Sequence, residues 1–217
     1  SDYKLDLFCI TETWLKKSID DSVVDINGYN IVRRDRLYSQ HGGVCLYINE
    51  TIKFLALREF ENSEPGGAEV LWVKLTPHRL PRGYNCIIIG VVYHPPTSND
   101  DRLLDYLLNT LSRIECSVPN AGILLTGDFN RADISQLTSQ FHLIQMVKFP
   151  TRGERTLDLI LTNLDRFYNN PERFSPFGLS DHCTVVLLPK LRVKENNSTC
   201  KTIRIRKLKS SSKQAFG

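Results

Sequence analysis

An acidic and an amide side chain stand two residues apart at the end of a hydrophobic run. The run covers residues 123–126, Gly127 follows it, and Asp128 and Asn130 flank Phe129. An apolar run bounded by a glycine is typical of a buried strand. If the chain stays extended, Asp128 and Asn130 project from one face and Phe129 from the other. Such a pair could hold a metal ion and a phosphate, whereas the alternative is a strand that ends in an Asx turn.

Other side chains able to do acid–base or metal chemistry also lie next to hydrophobic runs. They are Glu12 after residues 5–10, Tyr93 at the end of residues 86–93, Asp158 within residues 156–161, and Asp181 and His182 before residues 183–188. Carboxylates that converge on one pocket repel one another by about 4 kcal/mol per pair at roughly 4 Å and an effective dielectric near 20. They are therefore tolerable where a divalent cation or an imidazolium is present. Taken singly, each acid is also explained as a surface or turn residue, and a lone histidine is more often structural.

The elements that must position these residues are mostly strands. Apolar or alternating runs predict strands at residues 5–10, 29–32, 43–48, 69–75, 86–93, 123–128, 156–161 and 183–188. A leucine stripe predicts one long helix near residues 100–115, and a short helix is expected after Asp133. Many strands with one long helix predict an α/β (α+β) fold rather than regular βαβ alternation. We expect two packed, mostly antiparallel sheets flanked by helices, a four-layer sandwich.

Length and cysteine usage narrow the class of protein. A chain of 217 residues is most simply one large domain, and no apolar run approaches the roughly 20 residues that span a bilayer. The chain begins at Ser1 without an apolar leader, so we expect an excised fragment. Its six cysteines include no Cys-x-x-Cys pair, which argues against a zinc site or a disulfide framework. An intracellular, reducing compartment is the better interpretation.

The net charge of +4 conceals two regions of opposite sign. From Lys190 onward there are nine Lys or Arg residues and one acid, so residues 1–189 carry a net charge of −4. Residues 190–217 therefore predict a basic, flexible linker or tail. A polyanionic partner needs a local basic patch instead, such as the three arginines of the loop 33–42. These arginines could meet phosphates, and a solvated charged loop is the alternative.

The order and wording of the motifs resemble the endonuclease/exonuclease/phosphatase superfamily. The resemblance depends on Thr-Glu-Thr around Glu12, Gly-Asp-Phe-Asn around Asp128, the embedded Asp158, and Ser180-Asp181-His182. The residues around these motifs look like those of the apurinic-type endonuclease domain of LINE-type (non-LTR) retrotransposons. They comprise Thr-Glu-Thr-Trp-Leu, Gly-Gly-Val after a basic loop, Tyr-His-Pro-Pro, and Pro-Thr-Arg before Thr-Leu-Asp-Leu-Ile-Leu-Thr-Asn. The resemblance covers roughly residues 5–189.

This resemblance implies a Mg²⁺-dependent DNA endonuclease, with Mn²⁺ as a possible substitute. Such an enzyme hydrolyses one phosphodiester bond, nicks double-stranded target DNA and leaves a 3′ hydroxyl that primes reverse transcription. The implied partner is the reverse transcriptase domain of the same polyprotein, toward which the tail would lead. The implied place of action is the nucleus, with no membrane partner.

The resemblance also implies a role for each residue. Because oxygen ligands favour Mg²⁺, we assign Glu12 as the metal ligand and Asp181 as completing or supporting that site. Asp128 would orient or activate the attacking water and Asn130 would hold a phosphate oxygen. His182 would contact the scissile phosphate while Asp158 accepts its other N–H, and Tyr93 would donate to the phosphate or the leaving group. The expected DNA contacts are Thr151, Arg152, Ser180 and Arg36, although a plain turn also explains the first two.

One departure and three rival functions accompany this interpretation. The family carries an earlier strand with a site asparagine, and only four residues precede Leu5. We therefore expect residues 1–189 to be an N-terminally truncated domain, unstable or weakly active alone. The rivals are a phosphoesterase acting on small phosphate esters and a non-catalytic DNA-docking remnant. A serine hydrolase built on Ser180 is disfavoured, because no Gly-x-Ser-x-Gly motif is present.

Overall fold

The computed structural model describes residues 5–36, 41–61 and 67–190 of the chain. The strands in chain order are β1 (Leu7–Thr11), β2 (Tyr29–Arg34), β3 (Val44–Asn49), β4 (Lys53–Ala56), β5 (Glu69–Thr76), β6 (Cys86–Tyr93), β7 (Ala121–Asp128), β8 (Ile144–Gln145), β9 (Asp158–Thr162), β10 (Glu172–Phe174) and β11 (Thr184–Val186). The α-helices are α1 (Asp100–Ser117) and α2 (Ser135–Gln140), and 3₁₀ turns cover Asp21–Val23, Arg58–Phe60 and Asp165–Phe167. Every strand predicted from the sequence is present, with ends shifted by three residues or fewer. The predicted tail lies outside the described residues from position 191 onward.

The larger sheet has six strands in the order β4-β5-β6-β7-β9-β8. Its neighbours are antiparallel except β6 and β7, which are parallel because α1 crosses over between them. Parallel neighbours require such a crossover, so the sheet contains one βαβ unit within an otherwise antiparallel arrangement. The crossover leaves the ends of β6 and β7, at Tyr93 and Asp128, side by side.

The smaller sheet is antiparallel, with the order β1-β3-β2, and packs face to face on the larger one. The core between the sheets is aliphatic and comes from alternate residues of β3, β5 and β6. Its members include Val44, Leu46 and Ile48 from β3, and Leu71, Val73, Ile89 and Val91 from the larger sheet. The alternation places Tyr93 on this same inter-sheet face, which carries the functional residues at one end.

Helix α1 covers the opposite face of the larger sheet. Its leucine stripe is buried, as predicted, at Leu103, Leu107 and Leu111. The side chain of Asn99 caps the first turn by accepting from the N–H of Arg102 at 2.9 Å, a typical N-cap contact. Phe129 belongs to this helix-side core and is fully buried, so it points away from Asp128 as expected.

These layers confirm the predicted fold class of packed, mostly antiparallel sheets with few helices. The segment 12–28, which contains one 3₁₀ turn, forms the outer layer over the smaller sheet. The Tyr47 hydroxyl of that sheet donates to the Val24 carbonyl of the segment at 2.7 Å. The hairpin of β10 and β11 was not predicted, because β10 lies in a Pro- and Asn-rich stretch without alternation. Among the described residues, no helix is long and apolar enough to cross a membrane.

Candidate active site

A single cross-strand row closes one end of the inter-sheet face. Glu69 of β5 is paired with Tyr93 of β6, Tyr93 with Asp128 of β7, and Asp128 with Asp158 of β9. Directly paired residues project from the same face of a sheet. The register therefore brings together three predicted site residues, Tyr93, Asp128 and Asp158, and adds Glu69, which the motif analysis did not select.

Glu12 reaches this row from the smaller sheet. It follows β1 in a left-handed turn, with φ of 52°, and the Tyr93 hydroxyl donates to its Oε1 atom at 2.5 Å. Tyr93 is 4% exposed, and burial raises its pKa, with the hydrogen bond to Glu12 adding to the effect. The phenol therefore stays protonated at neutral pH and remains a donor.

Asp128 and Asn130 form the Asx turn that was one of the two arrangements considered from the sequence. The Asp128 Oδ1 atom accepts from the Asn130 backbone N–H at 2.9 Å, and Asn130 has φ of 49°. The chain is therefore not extended beyond Asp128, and the turn itself brings the two side chains together. The Asn130 amide nitrogen donates to the His94 carbonyl at 2.6 Å and to Asp128 Oδ2 at 3.3 Å. Both hydrogens of the Asn130 amide group are thus engaged within the protein, and neither is left for the phosphate oxygen that Asn130 was expected to hold.

Asp128 is a buried carboxyl group with an unusual proton affinity. It is 4% exposed, and burial raises its pKa from 3.8 to about 6, with the charges of Asp158 and Glu12 also raising it. The backbone N–H of Asn130 and the charge of His182 act in the opposite direction. At neutral pH the group is ionised but holds a proton far more readily than a surface aspartate, as suits a general base.

His182 and Asp158 form the ion pair that the resemblance implied. The His182 Nδ1 atom lies 2.7 Å from Asp158 Oδ2, and both side chains are largely buried. This hydrogen bond is the main cause that raises the pKa of His182 above its ordinary value, while burial lowers it. The ring is therefore stabilised in its protonated form, with Nε2 as the nitrogen left for a ligand.

Asp181, which was predicted to complete or support the metal site of Glu12, does not lie beside Glu12. It is 66% exposed, and its Oδ2 atom lies 2.6 Å from the Arg152 guanidinium. No contact joins it to Glu12 in the part of the chain that the structure describes. Within those residues, no three His, Cys, Asp or Glu side chains form a metal cage.

The donor set nevertheless fits a hydrated Mg²⁺ ion. This ion keeps several waters and takes only one or two protein carboxylates besides substrate phosphate. Glu12 is exposed, and only its Oε1 atom is engaged by a described residue. The charges of Asp128 and Asp158 make the local electrostatic potential more negative. A small cation bound through Glu12 would therefore reduce the repulsion among these carboxylates.

Thr151 is an internal residue rather than a DNA contact. It is 1% exposed, and its hydroxyl accepts from the backbone N–H groups of Leu157 and Asp158 at 3.0 and 3.1 Å. Its carbonyl accepts from the N–H of Cys183 at 2.8 Å. This packing does not support the predicted DNA contact of Thr151, because its hydroxyl and carbonyl groups instead join the strand of Asp158 to the segment of His182.

Arg36 is likewise turned inward. Its Nε atom donates to Glu69 at 2.5 Å, a second nitrogen donates to the Gly67 carbonyl at 2.8 Å, and the guanidinium lies 5.7 Å from the Tyr93 ring centroid. With its side chain 11% exposed, Arg36 is held inside the protein and the packing does not support a phosphate contact.

Arg152 and Ser180 are the predicted DNA contacts that stay accessible. Arg152 is half exposed, and the Oγ atom of exposed Ser180 accepts from the His182 N–H at 3.1 Å. Arg152 therefore lies beside Asp181, and Ser180 lies beside His182.

Comparisons with known proteins agree on family and fold. The model of the Endonuclease/Exonuclease/phosphatase family matches residues 1–182, and no curated protein matches the sequence. The chain is similar to truncated Caenorhabditis elegans TDP2 (10% identity, TM-score 0.54, covering 83% of this chain and 82% of that one). It is also similar to ANGEL2, a 2′,3′-cyclic phosphatase (12%, 0.51, 85% and 73%). A third similar structure is a family protein from Leptotrichia buccalis (13%, 0.51, 86% and 87%).

Proposed function

The chain belongs to the endonuclease/exonuclease/phosphatase family, and from this premise we propose that it is a Mg²⁺-dependent DNA endonuclease of the LINE retrotransposon type. It nicks double-stranded DNA and leaves a 3′ hydroxyl that primes a reverse transcriptase of the same polyprotein, acting in the nucleus. Members of the family generally use divalent metals, which supports the choice of cofactor. The observation that carries the proposal is the convergence of Glu12, Tyr93, Asp128 and the His182–Asp158 pair on one end of one sheet.

The residues supply three functions for the hydrolysis: a general base, a cationic group beside the phosphate, and a neutral hydroxyl donor. Asp128, ionised above about pH 6, takes the proton of the attacking water. His182, whose protonated form Asp158 favours, offsets the negative charge that grows on the phosphate oxygens. As the bond from phosphorus to the 3′ oxygen breaks, the neutral Tyr93 hydroxyl is the donor that can serve the leaving oxygen.

A bound Mg²⁺ ion would supply positive charge against the phosphate and leaving oxygens. Glu12 is the residue that would hold it, and Mn²⁺ could take the same oxygen ligand. In the structure Tyr93 donates to Glu12, so the two side chains orient each other before substrate arrives. Asp181 serves this site indirectly by fixing Arg152 at 2.6 Å, beside the path of the DNA backbone.

A plasmid-nicking assay tests the proposal. Supercoiled plasmid should become relaxed circles with the protein and Mg²⁺, and remain supercoiled when the cation is chelated. Asp128→Asn and His182→Ala should each slow nicking by about 100-fold or more. His78→Ala is the matched control, because exposed His78 follows β5 at the end opposite Glu69.

The assay also separates the rival functions. If the Asp128 and His182 variants nick as fast as the wild type, the endonuclease proposal fails. A wild type that binds plasmid but does not cleave it supports the docking remnant. If a soluble phosphate ester is hydrolysed in an Asp128-dependent manner while plasmid is untouched, the substrate class is wrong and the catalytic row still stands.

A further inference from the structure

Glu69 is a buried carboxylate at the edge of the site that has no role in the proposed chemistry. It opens β5, lies in the cross-strand row beside Tyr93, and is 6% exposed. Its two oxygens accept from opposite sides. Oε1 accepts from Arg36 Nε at 2.5 Å, and Oε2 accepts from the Gly43 backbone N–H at 2.6 Å.

The Gly42–Gly43 segment, whose Gly43 N–H donates to Glu69, also accepts hydrogen bonds from the segment that follows Glu12. The N–H of Thr13 donates to the Gly43 carbonyl at 3.1 Å, and the N–H of Trp14 donates to the Gly42 carbonyl at 2.8 Å. Glu12 and Trp14 both have left-handed backbones, with φ of 52° and 54°. Non-glycine residues reach this region at a cost of about 1 kcal/mol or more, so the turn needs support from outside itself.

The glycines permit this close packing. At Gly43, with φ of 90°, a Cβ atom would lie 2.5 Å from the Thr13 hydroxyl oxygen. At Gly42, with φ of 111°, it would lie 2.8 Å from Arg36 Nε and 3.0 Å from Glu69 Oε2. A side chain at either position would therefore collide with a neighbouring group, with Thr13 at Gly43 or with Arg36 and Glu69 at Gly42. The Gly-Gly pair that the motif analysis noted serves as the platform between Glu69 and the Glu12 turn.

Glu69 also reaches Tyr93 through Arg36. The guanidinium that it fixes lies over the Tyr93 ring at 5.7 Å, at a distance where a cation is attracted to an aromatic face. Tyr93 in turn donates to Glu12. One carboxylate thus supports both partners of the Tyr93–Glu12 hydrogen bond.

We propose that Glu69 is a positioning residue that fixes the Glu12 turn through Gly43 and the Tyr93 ring through Arg36. Its catalytic consequence rests on the proposed function, whereas its effect on the turn does not. A carboxylate is required because each oxygen accepts one N–H. A glutamine in its place would meet one of the two donors with its own NH₂ group.

Glu69→Gln tests the inference by amide hydrogen exchange and by kinetics. The Thr13 and Trp14 amides should exchange at least about tenfold faster, since their carbonyl partners are no longer fixed. The kcat of plasmid nicking should fall by about tenfold or more, with KM for plasmid unchanged within about twofold. Glu61→Gln is the matched control. It also removes the partner of an arginine, Arg58 at 2.6 Å, but contacts neither glycine, so exchange at both amides should stay as in the wild type.

A second variant keeps the test decisive if Glu69→Gln does not fold. The double variant Glu69→Leu with Arg36→Met replaces the buried pair by apolar groups of similar size, a change that proteins often tolerate. It should fold and still show the faster exchange. Unchanged exchange at Thr13 and Trp14 in a folded variant overturns the inference. A wild type without nuclease activity refutes the proposed function, while the exchange rates still decide the role of Glu69.

Discussion

Replacement of the buried Asp128 by asparagine should make the protein more stable while it removes activity. The pKa of Asp128 is raised from 3.8 to about 6, because burial disfavours the ionised carboxylate. At about 1.4 kcal/mol per pKa unit, this rise means that the ionised group lowers the free energy of unfolding by roughly 3 kcal/mol. Asparagine is close in shape and keeps an oxygen that can accept from the Asn130 N–H. We expect Asp128→Asn to gain about 1–3 kcal/mol at neutral pH.

The sign follows from proton binding. Between pH 3.8 and about 6 the folded state of Asp128 binds more protons than the unfolded state. The free energy of unfolding therefore falls as the pH rises through this window, and the loss is complete above it. The advantage of Asp128→Asn should be largest at pH 7.5 and should shrink toward zero near pH 4.

Urea unfolding followed by tryptophan fluorescence checks this prediction in the absence of divalent cations, at neutral and acid pH. Trp72 is fully buried and reports the transition. Asp133→Asn is the matched control, because a hydrogen bond from Ser135 lowers the pKa of Asp133, so this variant should gain no stability at neutral pH. The electrostatic reasoning would be refuted if the Asp128→Asn protein were less stable than the wild type at pH 7.5. It would also be refuted if the difference in the free energy of unfolding between the two proteins did not change with pH.

Three further predictions follow from the site and its supports. Gly127→Ala should lose at least about 3 kcal/mol of stability or fail to fold, measured by urea unfolding, because its Cβ would lie 2.0 Å from the Val92 carbonyl oxygen. Asp158→Asn should lower the pKa of His182, since Asp158 raises it. The alkaline limb of the pH–rate profile and the imidazole titration seen by NMR should then both move to lower pH. Thr151→Val should lose about 1–3 kcal/mol and lower kcat, with KM for DNA unchanged, whereas a drop in DNA affinity alone would restore Thr151 as a DNA contact.

The positions of the strands and most of the site residues could be read from local sequence. Hydrophobic runs fix where strands lie, and a polar residue at the end of such a run is conspicuous, as at Asp128 and Tyr93. The leucine period of α1 is a local property for the same reason. Short edge elements such as β4, β8 and β10 carry too few residues for a pattern, and their pairing partners decide whether they form.

The supports of the site could not be found in this way, because they depend on register between distant strands. Nothing local distinguishes Glu69 from any acid at the start of a strand until β5 is paired with β6. The inward placement of Thr151 and Arg36 was not predicted for a related reason. A polar residue in a loop is assigned to solvent by composition, yet here each one satisfies buried backbone or carboxylate groups that would otherwise lack partners. The signal that could have selected Glu69 is an acidic residue at the first position of an alternating strand, paired with a site residue on the neighbouring strand.

Asp128 of the row and His182, which contacts the row at Asp158, together define a pH window that neither would have alone. Asp128 must lose its proton, which it does above about pH 6, and His182 must keep its proton, which the contact with Asp158 favours. Each charge also helps the other, since His182 lowers the pKa of Asp128 and Asp128 raises that of His182. Near neutral pH Asp128 is therefore ionised, while the contact with Asp158 favours the protonated form of His182, and these are the two states that the proposed hydrolysis needs. The same carboxylates make the folded protein less stable without a cation, so function and stability place opposite demands on Asp128.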